Sequence, residues 1–283
     1  AVDRRKSTSA HVDPRIAAFG LKRPKGSFLA AIINYPIHPV ALGAKNRLIS
    51  ADISGQAARA LREQVPGSPV VFMTNGAAGN LNPPAENVSF DQVCRWGRII
   101  ADAVAQLLRD AQTIGEPDLQ VERRLVRLPL DVLTEREAGA VAEKALTNAE
   151  SLVQWSEKYT RVVEHWRDTL AMAYATGNVE THREAELFAV RLDKTILLGV
   201  NAEVFSEFTD WLRSATNKDL YVIGYANGDT GYLPTAAAYV EGGYEVDVAH
   251  MFYGGFRPLC GSLEVLAEEA KSLIRSLNQP RCK

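Results

Sequence analysis

The amino-acid sequence predicts an α/β protein, a layered domain in which a mixed β-sheet is flanked by helices. Short apolar runs typical of buried strands recur along the chain, as over residues 27–35 and 220–225. Amphipathic stretches with helical spacing, such as residues 89–111, lie between these runs. No internal repeat or low-complexity linker interrupts the alternation, so we predict a single domain over residues 1–283.

The first part of the chain predicts two strands, each followed by a helix. Residues 27–35 form a nearly continuous apolar run, as in a strand buried on both faces. Strong helix formers begin near residue 51, and this helix ends before residue 66, where Pro and Gly follow. Residues 69–73 form a short second strand. Apolar residues at helical spacing over 89–111 then predict a long amphipathic helix.

A helical insert is predicted near residues 134–176. It follows a strand of alternating character over residues 119–130. The insert is rich in Ala, Glu, Leu and Arg, and its only weak break is at Thr147 and Asn148. We therefore expect two helices packed as an accessory hairpin.

The last part of the chain returns to alternating strands and helices. Residues 186–201 predict a β-hairpin that turns near Asp193. Residues 203–215 predict a helix, and residues 220–225 a short buried strand. Residues 262–277 place leucines on one face and predict the final helix.

Composition excludes several classes of function. The 283 residues are 46% hydrophobic and 23% charged, as in an ordinary globular protein, and charged residues interrupt every apolar run that could span a membrane. A net charge of −2 gives no field that attracts nucleic acid. Three cysteines lie far apart and form neither a disulfide framework nor a zinc knuckle. The sequence leaves the cellular compartment open.

Polar residues follow several of the predicted strands and mark a candidate site. They are His38, the small-residue loop over 76–82, Glu203 and Tyr232. Sites in open α/β sheets gather beyond strand ends, so these residues are candidates to converge. Taken singly, His38 is better explained as a satisfied loop histidine, and Glu203 as a first-turn residue favoured by the helix dipole. His250 is a weaker candidate to line a pocket.

The sequence lacks the local signatures of the familiar hydrolases. It contains no Gly-x-Ser-x-Gly elbow, no His-Glu-x-x-His motif and no Walker loop. A hydrolytic site in this chain would therefore be assembled from distant segments.

Four stretches, taken together and in order, resemble the catalytic domain of the neutral (non-lysosomal) ceramidase family. They are Asn-Tyr-Pro-Ile-His-Pro-Val leading to Asp52, Phe-Met-Thr-Asn-Gly-Ala-Ala-Gly-Asn-Leu-Asn-Pro over 72–83, Leu-Gly-Val-Asn-Ala-Glu over 198–203, and the Gly- and Tyr-containing segment 226–245. The resemblance extends back to residues 3–5 and 12–14 and so covers nearly the whole chain.

The resemblance implies a zinc-dependent amidase. It assigns the metal ligands to His38, Glu203 and Tyr232. Imidazole nitrogen and carboxylate oxygen suit Zn²⁺, and tyrosine is a less usual ligand that supplies a further oxygen. It also implies that Tyr244 donates to the oxyanion of a tetrahedral intermediate and that Arg4 lies near the substrate. The substrate implied is a small-molecule or lipid-like amide.

Two departures from the family pattern qualify this reading. An upstream His-x-His segment supplies a further zinc histidine in the family, and the present sequence starts after that point. We expect that histidine either in a preceding segment or on a partner chain. One alternative is therefore a subunit completed by a partner, and another is a degenerate, metal-free binding protein of the same fold.

The second departure lies in the loop after the second strand. Sphingolipid-cleaving members of the family carry a serine where this chain has Asn82. Because asparagine cannot form an acyl-enzyme, we expect the amide to be attacked directly by zinc-activated water. The substrate is then expected to differ from ceramide. Gly79, Asn80 and Asn82 are predicted to face the substrate. Asp52 is a candidate to orient a ligand imidazole, although a role at the helix N-terminus explains it equally well.

Overall fold

The computed structural model describes residues 1–3, 12–149, 156–216 and 219–277. The strands are β1 Val2–Asp3, β2 Ala17–Lys22, β3 Phe28–Tyr35, β4 Val70–Asn75, β5 Leu81–Asn82, β6 Leu119–Pro129, β7 His182–Leu192, β8 Thr195–Val200, β9 Glu203–Val204, β10 Asp219–Ile223 and β11 Tyr232–Leu233. The helices are α1 Asp52–Gln64, α2 Phe90–Asp110, α3 Glu135–Ala149, α4 Ser156–Thr176, α5 Glu207–Thr216, α6 Ala236–Glu241, α7 Ala249–Phe252 and α8 Ser262–Leu277, and a π-helical turn covers Tyr244–Val248.

The first sheet has three strands in the order β2-β3-β4. β3 is antiparallel to β2 and parallel to β4, and α1 lies in the connection between β3 and β4. The apolar faces of α1 and α2 pack on β3 through a core that includes Ile33, Ile53 and Val93, all essentially buried. Burial of these side chains is the main stabilising contribution to this half of the molecule.

The second sheet has four strands in the order β10-β8-β7-β6. β8 pairs in parallel with β10 and antiparallel with β7, and β6 and β7 form a long antiparallel pair. α5 and α8 pack on this sheet, with Phe208, Leu266 and Leu273 buried in its core.

The two sheets meet edge to edge between β4 and β10. The backbone N–H of Gly224, just after β10, donates to the carbonyl of Asn75 at 3.1 Å, and the side-chain amide of Asn34 donates to the carbonyl of Val222 at 2.9 Å. Helices flank both sheets. The predicted α/β layered fold with mixed pairing is therefore confirmed.

The helical insert is present as α3 and α4. Its core contains Trp166, which is fully buried and donates through its indole N–H to the carbonyl of Gly255 at 2.9 Å. The expected break at Thr147 and Asn148 is wrong, because both residues lie within α3. The Thr147 hydroxyl donates to the carbonyl of Glu143, one turn earlier, which is compatible with a continuing helix.

The helix predicted from residue 203 begins only at Glu207. Glu203 lies instead in β9, a two-residue strand that pairs in parallel with β11, and Tyr232 is its partner in register. The apolar periodicity of 203–215 does not reveal this pairing, because it depends on a distant segment.

In the ranges that the structure describes, no helix is both long and apolar enough to span a membrane. The single-domain assignment stays a prediction.

Candidate active site

His38 lies in the loop that follows β3, and its ring is oriented by the backbone of Leu81. Ring atom Nδ1 lies 2.9 Å from the Leu81 carbonyl, and the backbone N–H of His38 donates to the same carbonyl at 3.0 Å. Because Nδ1–H is used in this bond, the neutral ring would present the lone pair of Nε2 to the site. Such second-partner bonds are typical of metal-binding histidines.

Glu203 and Tyr232 face His38 from neighbouring positions of β9 and β11. Oε2 of Glu203 lies 2.9 Å from His38 Nε2, and the Tyr232 hydroxyl lies 3.3 Å from the same nitrogen. The carboxylate is 5% exposed. Three residues that the sequence resemblance assigns to the metal are thus brought together by the fold.

Three further residues at this site escaped the sequence reasoning. The Tyr225 hydroxyl donates to Glu203 Oε2 at 2.6 Å, and the Tyr253 hydroxyl donates to Oε1 of the same carboxylate. The Tyr253 hydroxyl also lies 3.3 Å from Oδ2 of Asp229. Tyr225 is the last residue of the strand predicted over 220–225, and this position at a strand end was a usable signal. Tyr253 lies in an irregular segment, and its sequence context contains no comparable signal.

Tyr225 adopts a left-handed backbone conformation, with φ of 58°. This conformation costs a bulky residue about 1–2 kcal/mol, so the surroundings must hold it. The backbone N–H groups of Gly224 and Ala226 donate to Asn75 and Val200, at 3.1 and 2.9 Å. Strain that is held in this way, next to a buried carboxylate, is typical of functional sites.

Electrostatics keep the carboxylate of Glu203 in its charged form. Burial acts to raise the pKa of Glu203, but hydrogen bonds from His38 and two tyrosines outweigh burial, so the pKa lies below its usual range. Burial acts to lower the pKa of His38, but the hydrogen bond and charge of Glu203 raise it overall. A cation bound at Nε2 would compete with the proton there.

The nearby phenols stay protonated in the absence of a cation. Burial, followed by the charge of Glu203, raises the pKa of Tyr225 and of Tyr232 well above the usual range. The same two causes raise the pKa of Tyr244 to about 12. Each of these groups is therefore a hydrogen-bond donor at neutral pH.

Tyr244 stands at the first position of the π-helical turn, next to Tyr232. Its ring contacts that of Tyr232 edge-on, with centroids 5.9 Å apart, and it is 48% exposed. Its hydroxyl makes no hydrogen bond to any residue that the structure describes. The position and protonation state suit a donor to a bound substrate.

The loop after β4 is partly structural. A Cβ at Gly79 would lie 2.5 Å from the carbonyl oxygen of Glu203, so glycine is required for the loop to pack against β9. Asn80 is 1% exposed, and its amide donates to Asp3 at 2.8 Å and Ser206 at 3.1 Å. This arrangement favours a structural role for Asn80 over the predicted substrate contact. Asn82 does line the cleft.

Asp52 and Arg4 complete the set of predicted residues. Asp52 lines the cleft, but its carboxylate accepts from the backbone N–H groups of Leu42 and Ile53, at 2.9 and 2.7 Å. It therefore ties the loop after His38 to the start of α1, while the Leu81 carbonyl orients the imidazole. Arg4 lies outside the described residues.

His38, Tyr232 and Tyr244 open onto a cleft of about 1590 Å³, called the active-site cleft below. The more apolar side, formed by the insert and α7, presents Leu133, Val141, Ala145, Tyr159, Met251 and Phe252, with Lys144 and His250 among them. The more polar side presents Asn46, Ser50, Asp52, Asn82, Glu86 and Asn87, with Val40 and Leu42 among them. His250 thus lines this cleft, as its sequence suggested.

Within the described ranges, no three His, Cys, Asp or Glu side chains cluster as a metal site. The donor set around His38 and Glu203 instead gains its additional oxygens from tyrosines, Tyr225 and Tyr232. Phenol oxygens are therefore the nearest further donors to His38 and Glu203 in the part of the chain that the structure describes.

No family model and no curated protein matches this sequence. Two solved structures do match the fold. The neutral ceramidase from Pseudomonas aeruginosa has a TM-score of 0.57 and 18% identity, covering 96% of this chain and 48% of that chain. A ceramidase complexed with C2 has a TM-score of 0.58 and 19% identity, covering 96% and 50%. The chain spans about half the length of these relatives and has the neutral ceramidase-like fold that its sequence motifs predicted.

Proposed function

We propose that this chain carries the catalytic site of a zinc-dependent amidohydrolase. The observation that carries the proposal is the convergence of His38, Glu203 and Tyr232 at one end of the cleft. The ceramidase-like fold supports amide hydrolysis as the reaction class. The alternative is a metal-free binding protein of the same fold, which the lack of a His, Cys, Asp or Glu cluster in the described chain would favour.

The spacing of the donor atoms suits a zinc ion. Zinc bonds to nitrogen and oxygen of about 2.0–2.2 Å place neighbouring ligand atoms of a tetrahedron about 3.3–3.6 Å apart. His38 Nε2 lies 2.9 Å from Glu203 and 3.3 Å from Tyr232, so the set needs only small outward movements. Zinc would supply a Lewis acid that polarises the amide carbonyl and lowers the pKa of a water molecule to about 7.

The residues of the chain supply the remaining functions. Glu203 stays ionised because of its hydrogen bonds and provides negative charge for the cation. Tyr244 stays protonated and is placed to donate to the oxygen that becomes negative when the amide carbonyl is attacked. Asn82 has no nucleophilic oxygen or nitrogen, so the attacking group is water rather than this side chain.

The proposed substrate is an amide with one polar and one apolar part. The more apolar side of the active-site cleft would receive an acyl or other hydrocarbon group, and the more polar side would receive the remainder. Because Asn82 replaces the serine of the sphingolipid-cleaving relatives, we propose a substrate other than ceramide.

A further histidine would strengthen the site. The family resemblance places it in an upstream segment, which either precedes residue 1 in a longer protein or belongs to a partner chain. Under that arrangement the present chain supplies the cleft and most of the ligands.

Zinc content after reconstitution tests the proposal directly. With the upstream histidine segment present, we expect about one zinc per chain, and loss of that zinc in His38→Ala without unfolding of the domain. His165→Ala is the matched control, since His165 is exposed and does not line the cleft. Elemental analysis of folded protein gives the answer. Folded wild-type protein that includes the upstream segment and stays metal-free after zinc reconstitution would leave the binding protein as the better interpretation.

A further inference from the structure

The hydroxyl of Tyr225 lies within hydrogen-bond distance of both His38 and Glu203, the residues proposed to bind the metal. It is 2.6 Å from Glu203 Oε2 and 3.0 Å from His38 Nε2. Tyr232, which the family resemblance names as a ligand, is 3.3 Å from the same nitrogen. Tyr225 is thus at least as well placed as Tyr232 to share a cation with His38 and Glu203.

The backbone fixes this position. Tyr225 has a left-handed φ of 58°, and the N–H groups on both sides of it are hydrogen-bonded to β4 and to the end of β8. A Cβ at Gly224 would lie 3.2 Å from the carbonyl of Gly76, so the turn is also tightly packed. The phenol is therefore directed to the site by the fold and not by a flexible loop.

Tyr253 provides an internal contrast. Its hydroxyl binds the other carboxylate oxygen, Oε1 of Glu203, and lies 3.3 Å from Asp229. It makes no hydrogen bond to His38, although both rings belong to described residues. Tyr253 therefore positions Glu203, whereas Tyr225 meets both His38 and Glu203 at the atoms that face a cation.

We propose that Tyr225 is a fourth protein ligand of the metal ion, binding through its phenol oxygen together with His38, Glu203 and Tyr232. This assignment rests on the proposed function. The ion would then have one nitrogen ligand and three oxygen ligands, two of them phenolic. On binding, the proton of each phenol is released to solvent, because the oxygen binds as phenolate.

Zinc affinity alone does not separate a ligand from a positioning residue, since loss of a hydrogen bond to a ligand already costs about 10- to 100-fold. Copper(II) does separate them. It binds nitrogen and oxygen sites more tightly than zinc, and a phenolate ligand gives it a visible charge-transfer band. A tyrosine that only hydrogen-bonds to Glu203 contributes no such band.

The experiment compares the copper-loaded full chain with Tyr225→Phe, Tyr232→Phe and Tyr253→Phe. We expect Tyr225→Phe and Tyr232→Phe each to lower the band by about half, and the double variant to abolish it. Tyr253→Phe, the matched control, should keep the full band even if its affinity falls. Tyr225→Asn is a second variant, because asparagine tolerates a left-handed backbone. Circular dichroism checks the fold of each variant.

The outcomes distinguish the two proposals. An undiminished band in copper-loaded Tyr225→Phe would show that Tyr225 only positions Glu203 and would overturn the assignment. Wild-type protein with the upstream segment present that takes up neither zinc nor copper would overturn the proposed function, and the assignment with it.

Discussion

At the scale of single residues, Tyr244 has the most sharply defined role in the proposed reaction. Its hydroxyl is protonated at neutral pH, borders the cleft and is adjacent to Tyr232 without sharing the hydrogen bonds of His38. A residue of this kind can assist the reaction without holding the metal.

The substitution Tyr244→Phe tests that role. It removes one hydroxyl and little volume, so we expect zinc content to hold and turnover to fall about 100-fold or more, as on losing one oxyanion donor. Turnover on an accepted N-acyl substrate and elemental analysis are the two measurements. Val240→Ala is a control on the neighbouring surface, because Val240 is 90% exposed. Unchanged turnover in Tyr244→Phe would leave Tyr244 a packed aromatic side chain.

The buried side chain of His250 should make the free energy of unfolding depend on pH. Burial, assisted by the charge of Arg257, lowers its pKa from 6.5 to about 4. Nδ1 is buried with no hydrogen-bond partner among the described residues, and the ring packs edge-on against Trp166. Below pH 6.5 the unfolded chain binds a proton that the folded chain does not, so stability falls as the pH decreases from 6.5 to about 4.

We expect this one group to cost about 2 kcal/mol at pH 5. His250→Phe removes the titration and keeps a ring, so its free energy of unfolding should fall less between pH 7.5 and pH 5. Denaturant unfolding of both proteins at the two pH values measures the difference. His165→Phe, at an exposed histidine, should behave like the wild type. Equal losses in His250→Phe and wild type would contradict the prediction.

At the scale of elements, the close crossing of α1 and α2 depends on Gly97. A Cβ at this position would lie 2.5 Å from Cβ of Gln56 and 2.8 Å from the backbone nitrogen of Ala57. A Cβ at Gly139, in α3, would have no neighbouring heavy atom within 4 Å. Substituting these two glycines therefore separates the effect of helix propensity on stability from the effect of helix packing.

Gly97→Ala should destabilise the protein, because the overpacking cost of about 1–3 kcal/mol exceeds the helix-propensity gain of about 1 kcal/mol. Gly139→Ala should stabilise it by up to about 1 kcal/mol, since only propensity changes. Thermal or denaturant unfolding of the two variants gives the signs. A stabilised Gly97→Ala would show that the two helices can move apart without cost.

The elements that the sequence predicted well are those with strong local patterns. α2 and α8 have long amphipathic faces, and both begin and end within a residue of the predicted bounds. The strand β2 was missed, because its residues are mostly half-exposed and it forms only by pairing with β3. β9 was missed for the same reason, since its pairing partner is β11.

The candidate site shows the same contrast between residues that sequence motifs identify and residues that only the folded structure brings together. His38, Glu203 and Tyr232 were found from motif resemblance, and the structure brings them together. The roles of Tyr225 and Tyr253 depend on distances between segments remote in sequence, which no local pattern contains. Asn80 fits its motif, but burial, which the sequence does not display, removes it from the cleft.

At the scale of the whole molecule, the cleft decides the substrate. We expect short, water-soluble N-acyl compounds to be hydrolysed faster than long-chain ceramide, because Asn82 stands where the sphingolipid-cleaving relatives have serine. Asn82→Ser alone should not create ceramide activity, since pocket shape must change as well. Hydrolysis rates across such a panel, with His38→Ala as the inactive control, are the measurement. If ceramide were hydrolysed faster than every compound in the panel, the prediction would be wrong and a lipid amide would be the better proposal for the substrate.

The candidate metal site lies where residues from the two halves of the molecule meet, near the seam, the line along which β4 and β10 adjoin. His38 extends from the first sheet and Glu203 belongs with the second, 165 positions away in the chain. An ion held by both would act as a cross-link between halves that have separate cores, and its binding free energy would count toward their docking. Linkage is reciprocal, so a substitution that loosens the seam, as at Asn34, would weaken metal affinity to the extent that it lets the two halves separate in the metal-free protein.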